Sequence, residues 1–231
     1  MNYYSELKIV IQLLEDMYYD KSYETISRFI SHAMLQDTDL KKYHEERAIK
    51  GYVWDSLYPV EKDKTYRAGR IYLFHLRSLN LEFTLKMKKC LELSHDIVFK
   101  VLSCQMASYP YRPITRIKSL TPVITTLESG KYWVKEDGLV SLMKRINVCA
   151  LKKYRRYIGD IDEQPEGFIE SIELLNHKPI MVPYKNTSLF GNKLAITCKD
   201  DEYSQKLAFA VLGAGLEKGS IGFSYFIADR G

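Results

Sequence analysis

The sequence predicts an α+β chain of two similar domains in tandem, each with the element order βαββαβ. Three observations predict it. The chain has 231 residues, too many for one small domain and right for two of about 100–120 each. The same succession of β-type runs and helix-periodic stretches reads through twice. No low-complexity tract or long linker separates the halves.

The first copy opens with "LKIVIQL", a short β-type run. "SYETISRFISHAML" places Ile26, Phe29, Ile30, Ala33 and Met34 at helical spacing, with Ser22 as N-cap. "YVWDSLYPV" and "RIYLFHLRS" are aromatic and β-branched strands, joined across a polar stretch that ends at Ala68 and Gly69. "LNLEFTLKMKKCLEL" reads as a helix and "FKVLSCQMA" as a strand. The second copy opens with the strand "SLTPVITT". "DGLVSLMKRINVCALKKYRRY" is a long helix ending near Gly159. "FIESIELLNHKPIMVPY" and "NKLAITCKD" supply strands, with an extra hairpin turn near residues 176–178. "YSQKLAFAVLGAGL" is a helix and "GFSYFIA" the last strand. This is the split-βαβ order, so two ferredoxin-like domains are expected, residues 1–117 and 118–231.

Composition narrows the class. At 46% hydrophobic the chain can build two cores. Its longest nearly uncharged apolar run, "LAFAVLGAGL", falls short of the ~20 residues of a membrane helix. The N-terminus lacks a signal-peptide pattern, so a cytoplasmic protein without membrane contact is expected. Cys90, Cys104, Cys149 and Cys198 are scattered and form no CxxC pair, which points to buried thiols in a reducing compartment. No HxxxH or carboxylate cluster offers a metal site, and neither metal nor cofactor is expected.

The net charge of +5 is unevenly spread. "YRPITRIKSL" carries Arg112, Arg116 and Lys118 with no acid, and Tyr109 and Tyr111 beside them are candidate stacking platforms. "LMKRINVCALKKYRRY" carries six basic residues and no acid. At 100° per residue Arg145, Lys152 and Arg156 share one line, with Lys144 and Arg155 beside it. Met143, Ile146, Ala150 and Tyr154 lie opposite, and Lys153 falls off the stripe. Such patches suit a polyanion, nucleic acid first; the plainer reading is a solvated helix face.

The stretch "VLGAGLEKGSIGFSY" joins the last helix to the last strand. Gly213, Gly215, Gly219 and Gly222 permit positive φ and close backbone approach, so consecutive N–H groups can converge on an anion. Lys218 adds charge and Ser220 a donor. GxxxxGK[ST] is absent, and GxGxxG is broken at Lys218. A tight helix-to-strand turn is the plainer alternative.

The pattern Gly213-x-Gly215-x-x-Lys218-x-Ser220-x-Gly222-Phe223, closing a double ferredoxin-like chain, resembles the glycine-rich loop of the CRISPR-associated endoribonucleases that process precursor CRISPR RNA. These belong to the repeat-associated mysterious protein superfamily. "SLYPVEKDKTYRAGRIYLFHLRSLN" looks like that family's second and third strands, and "SLTPVITT" like its entry to domain two. "VPYKNTSLFGNKLAITCKDDEYSQKLAFAVLGAGLEKGSIGF" looks like its closing segment. The likeness covers nearly the whole chain. The family loop usually ends Gly-Phe-Gly; here it ends Gly222-Phe223-Ser224.

The resemblance implies metal-free cleavage of CRISPR repeat RNA in the precursor transcript. The 2′-hydroxyl attacks the adjacent phosphate, giving 5′-hydroxyl and 2′,3′-cyclic phosphate (or 3′-phosphate) ends. His44 and Lys50, in "DLKKYHEERAIKGYVW", take the places of the family's catalytic histidine and lysine. By spacing alone His44 would read as a surface histidine on a polar loop. The place of a helix tyrosine falls on Ser31, which donates a hydrogen bond but is a poor acid. His32 beside it substitutes if the helix turns it to the cleft; otherwise it is an exposed flank. His75 and His95 read as structural and His177 as solvated. RNA is expected along Gly213, Gly215, Lys218, Gly219, Ser220, Gly222, Arg112, Arg116, Lys118, Arg145, Lys152 and Arg156, mainly through its backbone. Other CRISPR effector subunits and a second copy of the chain stay open as partners. Two rivals stand beside the nuclease: a catalytically silent repeat-RNA-binding relative, and a structural subunit of an effector complex.

Overall fold

The structure, a computed structural model, describes residues 3–229. Strand β1 (Tyr3–Leu13) alternates, and Leu7, Ile9, Ile11 and Leu13 are fully buried on its helix-covered face. A two-residue strand β2 (Met17–Tyr18) and a 3₁₀ turn lead into α1 (Ser22–Met34). Ser22 is the first helical residue rather than the N-cap. The 3₁₀ turn starts the helix upstream, and Ser22 Oγ donates to the Tyr19 carbonyl at 2.7 Å.

A second helix, α2 (Thr38–Glu45), occupies a segment whose polar sequence reads as loop. Asp37 caps it, its carboxylate accepting the Asp39 and Leu40 N–H groups at 3.0 Å each. Leu40 is its one buried residue, so no apolar stripe announces it. Next come β3 (Tyr52–Trp54), β4 (Thr65–Tyr66) paired with β2, and β5 (Ile71–Ser78). Helix α3 (Leu81–Leu93) follows, capped by Asn80, then the long β6 (Phe99–Pro110). The first sheet is antiparallel in the order β3-β5-β1-β6, with β6 paired to β1 from Leu13↔Phe99 to Tyr3↔Pro110.

The second half holds β7 (Arg116–Ser119), α4 (Leu139–Tyr157), β8 (Ile169–Leu174), β9 (Ile180–Tyr184) and β10 (Thr187–Gly191). It ends with β11 (Leu194–Cys198), α5 (Glu202–Ala214) and β12 (Phe226–Ala228). Its sheet has the matching order β12-β7-β11-β8, so both halves are split-βαβ units. The run "SLTPVITT" is not the entry strand itself. The ladder is three residues upstream and ends before Pro122, which has no N–H to donate. The second sheet therefore starts at Arg116.

The segment after β8 also differs from expectation. Residues 176–178 form a bend held by Asn176 Nδ2, which donates to the Lys178 carbonyl at 2.7 Å, and not a hairpin. The hairpin is β9–β10, off the sheet, and turns at Lys185 with φ +52°. Val182 and Leu189 on it are buried in the first domain's core, and Ile180 and Tyr184 pack against that core. The second domain thus extends an arm over the first.

A second contact locks the halves together. Arg77 Nε donates to Glu6 Oε2 at 2.6 Å with both side chains 9% exposed, and Arg77 Nη1 donates to the Phe226 carbonyl at 2.6 Å. Tyr225 and Tyr109 hydroxyls donate to the same carboxylate at 2.8 and 3.0 Å. Burial pushes the Glu6 pKa up, but Arg77 and Tyr225 outweigh it and hold the carboxyl below its usual range. Gly213 belongs to α5 and lies against this contact: a Cβ there would sit 2.5 Å from Leu79 Cδ2. No helix among the described residues is long and apolar enough to cross a membrane.

Candidate nucleic-acid interface

Between the domains lies a cavity of about 300 Å³ with a cationic lining. The first domain contributes Lys50, from the loop after α2. Helix α4 contributes Arg145, Cys149, Lys152 and Lys153, and the loop after α5 contributes Lys218, Gly219 and Ser220. The line Arg145, Lys152, Arg156 read from helical spacing is present: the first two line the cavity, and Arg156 pairs with Glu46 at 2.6 Å on the first domain. Arg145 Nε is buried without a hydrogen-bond partner among the described residues. Glu217, the acid of the lining, is held by the Thr126 N–H at 2.9 Å and by the Thr126 hydroxyl.

Lys153 escaped the sequence reading. It is 3% exposed, and its ammonium donates to the carbonyl of Ala214, the last residue of α5. Burial depresses its pKa to about 8, with Cys149 acting weakly the other way. Helical spacing marks this inward turn: Lys153 comes seven residues after Ile146 and three after Ala150, on the buried face of α4, although the sequence reading only set it off the cationic stripe. The position is fixed by α5 packing on α4, a long-range event.

The glycine stretch does two different jobs. Gly215 and Gly222 hold φ of +64° and +90°, while Gly213 is helical and Gly219 lies outside the left-handed region. Lys218 itself takes φ +58°. Gly222 is demanded twice, since a Cβ there would stand 2.4 Å from the Trp54 ring. Trp54 Nε1 donates to the Ser220 carbonyl at 3.1 Å, and Phe223 stacks on Tyr23 at 5.0 Å. The N–H groups of Ile221, Gly222 and Phe223 return to carbonyls of Lys218 and Gly219. All four glycines are buried, so much of the stretch serves docking onto the first domain. The part that lines the cavity runs from Leu216 to Ser220. Ser224, standing where the family pattern has glycine, is buried at φ +62°.

His44 lies in the last turn of α2 and is exposed. Partial burial first, then the charges of Lys50 and Lys185, depress its pKa, with Glu45 opposing. Lys50 closes the C-terminus of the same helix: its ammonium donates to the carbonyls of Glu46 at 2.8 Å, His44 at 3.3 Å and Tyr43. Partial burial lowers its pKa too, aided by Arg156 and opposed by Glu46. On α1, Ser31 is half-buried and His32 exposed. Ser31 shares a face with Glu24 and Ser27, the face that meets the hairpin.

Other expected residues lie elsewhere. Arg112 is exposed in the loop between the sheets. Arg116 pairs with Glu173 and Lys118 with Asp229, each at 2.6 Å on the second sheet, and neither lines the cavity. Alternation explains it, because Ile117 takes the core-facing position between them. Tyr109 is tied to Glu6. His75 sits on β5 with its Nδ1 2.8 Å from Asp55 Oδ2, a contact the sequence does not announce. Among the described residues no three His, Cys, Asp or Glu side chains converge as metal ligands.

No protein-family model matches the chain, and no curated protein does. Solved structures do. A structure titled as an RAMP protein binding different RNA substrates is 16% identical, with a TM-score of 0.74 over 98% of this chain and 100% of that one. A protein from a Cas6-related gene of Pyrococcus furiosus is 19% identical, with a TM-score of 0.73 over 97% and 98%. A CRISPR-associated protein Cas6 is 15% identical, with a TM-score of 0.70 over 98% and 100%. The chain shares the complete double ferredoxin-like fold of these proteins.

Proposed function

We propose that this chain is a metal-independent endoribonuclease that cuts CRISPR repeat RNA within the precursor transcript, leaving 5′-hydroxyl and 2′,3′-cyclic phosphate ends. The observation that carries the reading is the inter-domain cavity. It gathers Lys50, Arg145, Lys152 and Lys218 from three separate segments, beside the helix that carries His44. Shared fold with Cas6 and with an RNA-binding RAMP protein supports RNA as the polyanion.

The chemistry follows from these groups. With its pKa depressed, His44 is largely neutral near pH 7 and can take the proton of an attacking 2′-hydroxyl. The phosphate, gaining charge as the 2′-oxygen closes on it, sits in the field of the cavity's cations. Lys50 acts from a fixed place, because the α2 carbonyls hold it. No residue is asked to bind a metal.

A repeat-RNA binder without cleavage is the second reading, favoured by Ser31 and by the hydrogen bonds that already engage Lys50. Single-turnover cleavage of labelled repeat RNA by the parent and by His44→Ala separates the two. The nuclease reading expects a loss of about 10²–10⁴-fold with binding retained. A parent that binds and never cuts would leave the binder, whether free or as part of an effector complex.

A further inference from the structure

Cleavage by a 2′-hydroxyl needs two proton transfers, one from the nucleophile and one to the leaving 5′-oxygen. His44 supplies the first. The described site leaves the second unassigned, since Ser31 is a poor acid and His32 faces solvent.

Most phenols near α1 and α2 are occupied or inaccessible. Tyr43 and Tyr157 hydroxyls lie 3.0 Å from each other; Tyr43 also accepts the Gly51 N–H at 2.7 Å, and Tyr157 donates to the Ile49 carbonyl. Tyr23 and Tyr52 are buried. Tyr184 differs. It stands at the tip of β9, half-buried, with its hydroxyl 2.8 Å from Ser27 Oγ. Ser27 precedes Ser31 by one turn on the same face of α1. The next residue, Lys185, is exposed, and its N–H donates to Glu24 Oε2 at 3.0 Å, so two contacts hold the tip against that face.

We propose that the second domain's hairpin completes the cleavage site: the Tyr184 hydroxyl is the acid that α1 lacks at Ser31. This rests on the nuclease reading. In the step, the 2′-oxygen passes its proton to His44 and bonds to phosphorus. The bond from phosphorus to the 5′-oxygen breaks, and that oxygen takes the Tyr184 proton. The phenolate recovers a proton from water and His44 releases one. An alkoxide is a far stronger base than a phenolate, so the transfer runs downhill even from a phenol whose pKa is raised by burial.

The experiment compares parent, Tyr184→Phe, Ser31→Tyr and the double variant Tyr184→Phe with Ser31→Tyr. Each is assayed for single-turnover cleavage of labelled repeat RNA at saturating protein, and for RNA binding. Tyr184→Phe keeps the packed ring, so binding is expected within about 3-fold of the parent while cleavage falls by about 10²-fold. The double variant, with a phenol restored one turn along α1, is expected to recover much of the rate. If Tyr184→Phe cuts at the parental rate, the hairpin proposal is wrong while the nuclease reading stands. A Tyr184→Phe loss with no recovery in a folded, RNA-binding double variant overturns the claim that the two positions serve one acid. A parent that does not cut removes the nuclease reading itself, and the hairpin proposal with it.

Discussion

The Lys50 ammonium stands 3.3 Å from the carbonyl oxygen of His44. The cation expected to steady a charged phosphate is thus also the cap of the helix that carries the histidine. Sequence separation alone, six residues, says nothing of this. The Lys50 ammonium is held to the backbone turn from which the His44 side chain projects.

Removing that cap separates structure from chemistry. A cation at a helix C-terminus is worth about 0.3–1 kcal/mol, and up to about 2 kcal/mol when partly buried as Lys50 is, so for a chain of this size the Tm change is at most about 4–8 °C. Lys50→Met is expected to melt within that margin in scanning calorimetry, while single-turnover cleavage drops by about 10²-fold. A large Tm loss with cleavage scaled only to the folded fraction would make Lys50 structural alone.

The pH profile reports the surroundings of His44. Burial, Lys50 and Lys185 all disfavour the imidazolium, against Glu45. The acidic limb of the cleavage rate is therefore expected below ~6.5, the ordinary histidine value. Lys185→Met removes one of those cations, so the limb should move toward higher pH. A limb that stays in place in Lys185→Met separates the hairpin tip from His44.

Lys153 gives a test in stability. Its folded pKa of about 8 lies below the free value of ~10.4. Between those two pH values the unfolded chain holds a proton that the folded chain has lost, so raising the pH favours the folded state. Burial raises the thiol pKa of all four cysteines, and above ~8.5 these oppose the lysine, so the Lys153 contribution is read as a difference. In urea unfolding the stability of the parent relative to Lys153→Met is expected to rise across the window, by up to about 1.4 kcal/mol per pH unit. Parallel curves for the two proteins would mean that Lys153 titrates as an exposed lysine.

The glycine loop yields a pair of opposite outcomes. Lys218 takes φ +58°, so Lys218→Gly keeps the backbone and removes the charge. It should stay folded, bind RNA more weakly and shallow the salt dependence by about 0.7–0.9 in log–log slope. Gly222→Ala meets the Trp54 ring at 2.4 Å and a φ of +90°, so it should lower Tm markedly. An unchanged salt slope in Lys218→Gly would place the RNA elsewhere.

The split-βαβ order was legible twice over in the sequence because strand alternation and helical spacing are local patterns. Arg145 and Lys152 were legible as one line for the same reason. Helix α2 was not, since Leu40 alone is buried in it and its start rests on the Asp37 cap. The partners of Lys153 and Tyr184 were not legible because they come from segments 61 and 157 residues away in the chain. The acids beside Arg116 and Lys118, Glu173 and Asp229, were not legible either, because the sheet brings them there from distant segments.

The central claim, cutting of repeat RNA without metal at the inter-domain site, is tested most directly in one tube. Purified protein is incubated with 5′-labelled precursor RNA carrying repeats, in excess EDTA, and the product ends are resolved. The account expects a single cut per repeat, with 5′-hydroxyl and 2′,3′-cyclic phosphate ends, at the rate seen without chelator. Intact RNA in EDTA, with cleavage that appears only on adding magnesium or manganese, would contradict it.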